Sequence, residues 1–162
     1  MTLTRFAVLL AGLCFAAVAL AGDLPDLNKT PGAIRAGLTK KRICEIKWGK
    51  DARHVTAKMK REGLRALWLH GQQGSAMRAG QARPALREVD HLISRKLGGA
   101  DEAKNLWPEA YGTKPWNAAL KDKLENRLHK EMCAGHITLK QARNMLVNDW
   151  RVAYREYYGE PK

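Results

Sequence analysis

Residues 88–109, EVDHLISRKLGGADEAKNLWPE, hold an Asp–His pair, a Gly-Gly step and an Asn-Leu-Trp-Pro run. The alternation over 86–93 predicts a strand. Gly98-Gly99 within 94–104 predicts a hairpin connection, and 105–107 reads as the returning strand, stopped by Pro108. A regular strand points adjacent side chains to opposite faces, so Asp90 and His91 share a site only where the strand bends or ends. An imidazole titrates near neutrality and suits a general base, while a carboxylate suits a hard divalent cation.

Outward from this stretch, Pro115 suits a helical first turn. The helix predicted after it, WNAALKDKLENRLHKEMC, sets Leu120, Leu124, Leu128 and Met132 four apart and ends at Gly135. Thr138 is the N-cap expected for a second helix, with Leu139, Ala142, Leu146, Trp150, Ala153 and Tyr157 on its apolar face. Trp107, Trp116 and Trp150 occupy apolar positions and read as core. Upstream, 55–70 has helical period around Met59, Leu64, Leu67 and Trp68, and 71–84 reads as a loop. RICEIKW, around Cys44, reads as a short strand, and 22–50 as an extended arm.

Residues 1–21 have a signal-peptide pattern: Arg5, an apolar run from Phe6 to Leu20, and Ala19-Leu20-Ala21 before Gly22. The run is shorter than the roughly 20 apolar residues of a spanning helix. Cleavage near Ala21 implies a periplasmic or secreted chain with no stable membrane insertion afterwards. It leaves Cys44 and Cys133, which an oxidising compartment would join in one disulfide. The chain-entropy model puts that gain at roughly 4–5 kcal/mol. No CxxC occurs, which removes a zinc ribbon or dithiol redox motif from consideration.

Lys and Arg outnumber Asp and Glu by 29 to 16 in 162 residues, a net charge of +13. That excess points to polyanionic partners. The basic groups at 40–42, Lys58, Lys60, Arg61, Arg78, Arg83 and Arg87 suit phosphate contacts that carry no sequence information.

The 88–109 stretch resembles the HNH endonuclease motif. Its DHLI, LGG and NLW segments match, and Asn105 lies 14 residues beyond His91. NLWPEAYG, WNAALKDKLENRLH and NDWRVAYREYYG further resemble small exported bacterial HNH proteins, so the resemblance covers roughly 30–159. It implies an α+β chain: a ββα-metal (HNH) core with flanking helices and an N-terminal arm. The nuclease domain would be 51–162 and the motif core 86–134. His91 would be the general base, Asp90 a metal ligand, and Asn105 the residue that holds the hairpin and orients the imidazole.

The family usually adds a His at the start of the next helix, but 114–120 contains none. Asn117 is the ligand expected in its place, with water as the alternative. His129 lies roughly 18 Å along the helix, too far to coordinate. The implied cofactor is one divalent cation, Mg²⁺ or Mn²⁺. Arg95, Lys96 and Lys121 are the expected phosphate contacts. The activity implied is phosphodiester hydrolysis with little sequence preference, DNA first and RNA second. The alternatives are a nucleic-acid-binding protein on an inactive HNH scaffold and an envelope protein that uses its charge on lipid or cell-wall polyanions.

Overall fold

The computed structural model describes residues 24–47, 53–62 and 87–162. The expected leader over 1–21, the loop expected over 71–84 and the second half of the helix expected over 55–70 lie outside them. Residues 57–62 of that helix are helical. The described chain is α+β. Strands β1 (Arg87–His91) and β2 (Leu106–Ala110) pair antiparallel, and helices α1 (Lys40–Glu45), α2 (Ala118–Ala134) and α3 (Leu139–Tyr158) surround them.

The hairpin register is Glu88↔Glu109, Val89↔Pro108, Asp90↔Trp107 and His91↔Leu106. Pro108 does not stop β2, contrary to expectation. A proline has no N–H to give, so it is tolerated where the ladder asks for none. Antiparallel pairs alternate between bonded and non-bonded, and Pro108 falls in a non-bonded one. The carbonyls of such pairs turn outward, and three find donors there. Val89 O accepts from Arg53 Nη2 at 3.3 Å, His91 O from Lys121 Nζ at 2.8 Å, and Leu106 O from Thr30 Oγ1 at 3.3 Å.

The connection is not a tight turn but two 3₁₀ turns, Arg95–Leu97 and Ala103–Asn105. Ser94 caps the first by accepting from Lys96 N, and Gly98 closes it at φ 81°, where a side chain would be strained. A Cβ on Gly99 would lie 1.7 Å from Ile93 O, so the backbones meet there only because the residue is glycine.

The arm runs beside this connection. Gly32 N donates to Lys104 O, Arg35 N to Gly98 O, and Ala100 N to Ala33 O. The segment around Cys44 is helical where a strand was expected. Thr39 caps α1, and the helix drops Ile43 into the core, fully buried. Cys44 and Cys133 form a disulfide, with Cα atoms 5.8 Å apart.

The helical ends follow the sequence closely. Asn117 caps α2, Gly135 ends it at φ 88°, and Thr138 with Gln141 makes a capping box for α3. Pro115 precedes the cap rather than entering the first turn. Leu124, Leu128 and Met132 are buried against Ala142, Leu146, Trp150 and Tyr154. Each large apolar side chain so buried contributes about 1.5–3 kcal/mol. Trp116 meets Trp150 and Tyr154 edge-on, at 5.5 and 5.7 Å between ring centroids. Trp107 is buried as well, as its apolar position implied. No described helix is long and apolar enough to cross a membrane.

Candidate active site

His91 closes β1 and is only 4% exposed. Its Nε2 lies 2.7 Å from Asp101 Oδ1. The Asp101 carboxylate also accepts from His54 N at 2.6 Å and lies 3.3 Å from Arg95 Nε. Burial alone would raise the Asp101 pKa, but the donors around it hold it below the usual carboxylate range. Burial lowers the His91 pKa, against the opposing pull of Asp101 and Asp90. At neutral pH this is a neutral imidazole against an ionised carboxylate. The carboxylate only accepts, so the ring proton sits on Nε2 and the basic lone pair on Nδ1.

Asn105 holds the hairpin, as expected, but it does not orient the ring. Its Oδ1 accepts from Ile93 N at 2.9 Å, and its Nδ2 donates to Ile93 O and Ala100 O at 3.0 Å each. Those bonds fasten the connection that carries Asp101, and Asp101 makes the bond to the imidazole.

Asp90 points the other way. It shares a face with Trp107, and Glu109 lies diagonally across on the same face. Lys121 of α2 reaches into that face. Its Nζ lies 2.6 Å from Asp90 Oδ2, 2.5 Å from Glu125 Oε1 and 3.8 Å from Glu109 Oε2. Lys121 is 0% exposed and Glu109 is 2% exposed. Burial would lower the Lys121 pKa, but the Glu125, Asp90 and Glu109 carboxyls drive it well above the usual value. Burial would raise Asp90, yet the Lys121 ammonium outweighs it and holds Asp90 low. The remaining two carboxyls go the other way: burial lifts Glu109 to about 9 and Glu125 to about 7. Neither Glu109 oxygen has a hydrogen-bond partner, so burial favours the protonated form.

Three of the expected roles change with this geometry. Lys121 is a buried structural cation, not a phosphate contact. Asn117 is a cap: its Oδ1 accepts from Leu120 N and its Nδ2 donates to Thr113 O, both at 3.2 Å. Asp90 is ion-paired. A divalent ion about 5 Å from the ammonium would meet roughly 7 kcal/mol of repulsion at an effective dielectric of about 20. In this arrangement Asp90 and Asn117 do not fit a divalent ion.

The two loop cations stay near the site. Arg95 lies on Asp101, and Lys96 donates to Asn126 Oδ1 across to α2. A different group has metal-ligand chemistry. Cys44, His129 and Cys133 place ligand atoms within 4.8 Å of one another and could hold a metal ion. Metals take thiolates, and the disulfide leaves neither sulfur in that form.

Sequence reasoning passed over Asp101, Glu109 and Glu125. The i,i+4 spacing of Lys121 and Glu125 was the available signal for the last. For Glu109 it was the hairpin register. Comparison with family models, curated proteins and solved structures returns no match.

Proposed function

We propose that the chain is an exported endonuclease of the HNH type, hydrolysing phosphodiester bonds of DNA first and RNA second with little sequence preference. The observation that carries this reading is the buried, neutral His91 held by ionised Asp101 at the end of a hairpin stacked on a helix. Its setting is a chain of net charge +13.

In the reaction, His91 Nδ1 takes a proton from water as the water attacks phosphorus. The imidazolium that forms is stabilised by the Asp101 carboxylate on Nε2. The bond to the 3′ oxygen breaks and that oxygen takes up a proton from solvent, giving the 5′-phosphate and 3′-hydroxyl ends that the resemblance implies. Exposed basic residues of the arm and of the 57–62 helix give the salt-sensitive grip on the backbone. The disulfide fits an oxidising compartment, in keeping with a periplasmic or secreted location.

The test is plasmid and RNA cleavage by wild type and His91→Ala, in EDTA, Mg²⁺ and Mn²⁺. The expected result is a loss of about 10²–10⁴-fold on removing the base. Equal cleavage by both proteins would exclude His91 as the base. One observation favours a second reading, a nucleic-acid binder on an inactive scaffold: Asp90 already holds the Lys121 ammonium. That reading expects binding by both proteins and cleavage by neither.

A further inference from the structure

We propose that Asp90, Glu109 and Glu125 form an oxygen cage whose resident cation is the chain's own Lys121 ammonium, and that removing it converts the cage into a divalent-cation site. The inference rests on geometry alone and does not need the nuclease reading.

An ammonium has three N–H groups. Lys121 directs them at Asp90 Oδ2, His91 O and Glu125 Oε1, at 2.6, 2.8 and 2.5 Å. All three donors are thereby used, two on adjacent residues of β1 and one on the next turn of α2. Glu109 is the fourth oxygen group, 3.8 Å away, and neither of its carboxyl oxygens has a donor. An ammonium that has given all its protons has no N–H left for the Glu109 carboxyl. A divalent ion, with more ligand positions, would also take that carboxyl. The cage is therefore built from hard oxygen ligands around a positive centre, and the centre is a side chain. The raised Glu109 and Glu125 pKa values agree with it: protons, rather than a second cation, balance the surplus carboxyls.

The experiment counts bound Mn²⁺ by the loss of its free electron paramagnetic resonance signal. It uses disulfide-intact wild type, Asp90→Asn and Lys121→Ala, and the Ala variant leaves room for an ion with its waters. Mn²⁺ prefers oxygen, so the Cys44–His129–Cys133 group does not compete. Wild type is expected to show no Asp90-dependent ion and to melt at the same temperature in Mn²⁺ and EDTA. Lys121→Ala is expected to take up one ion per chain and to melt higher in Mn²⁺ than in EDTA.

One Asp90-dependent ion on wild type would overturn the proposal, and so would a folded Lys121→Ala protein that binds none. The wild-type measurement decides even if the variant fails to fold. No nucleic acid enters the assay, so either result leaves the cleavage test of His91 intact.

Discussion

The two faces of one short hairpin are set one residue apart and do opposite things with charge. On the His91 face, a single ionised carboxylate meets a neutral ring that can take up a proton. On the Asp90 face, three carboxyls close around a fixed ammonium, and the neutralisation is internal. The strand's period of two makes the division sharp. Side chains adjacent in sequence enter separate environments, and a carboxylate beside a histidine need not serve the same site. One face is arranged to exchange a proton with its surroundings. The other is arranged to keep its charges still.

The comparison can be broken most decisively at His91 and its partner. Asp101→Asn should reduce cleavage by about 10²-fold or more, because an amide no longer fixes the ring proton on Nε2. Asp101 raises the His91 pKa, so removing its charge should also shift the acid limb of the pH–rate profile to lower pH. An unmoved limb would separate the dyad from the chemistry.

On the opposite face, Lys121→Met should destabilise the protein by about 3–5 kcal/mol at neutral pH, since it strips the counter-charge from buried carboxylates. Denaturant melts check this, and a loss below about 1 kcal/mol would contradict a caged ammonium.

Glu109→Gln sharpens the same face. The folded pKa of Glu109, about 9, lies above the ordinary 4.5. Its stabilising contribution is therefore whole below pH 4.5 and is lost as pH rises toward 9. Glutamine keeps the shape without the charge. It should stabilise the protein by on the order of 1–3 kcal/mol at neutral pH, with the gain shrinking toward pH 4.5. Melting temperatures across that range read the sign directly.

The smallest effect is the most discriminating for the cap. Asn117→Ala should cost about 1 kcal/mol of stability, with the cleavage rate per folded molecule unchanged. A large activity loss at matched folding would return Asn117 to the reacting centre.

The sequence made the local signals readable. Gly98 and Gly99 marked the connection, Gly135 and Thr138 marked helix ends, and Cys44 and Cys133 paired. Each of these depends on one or two residues and their own backbone. What stayed hidden depends on long-range geometry. The strand pattern around Cys44 gave way to a helix because Ile43 and Cys44 have separate anchoring points on the helical core, and Thr39 caps the turn. Pro108 passes through β2 because its register partner asks for no N–H. Lys121 reads as a surface charge on its helix, and only the approach of Asp90 and Glu109 from the hairpin makes it interior. Asp101 carried no pattern, and its role depends on Asn105 folding the connection back toward His91.

One bond gives the fold a timetable. Thr30 Oγ1 donates to Leu106 O, 76 residues later in the chain. At a synthesis rate of about 5–20 residues per second, the arm waits roughly 4–15 s for the strand it must cover. Through that interval the growing polypeptide has no finished hairpin.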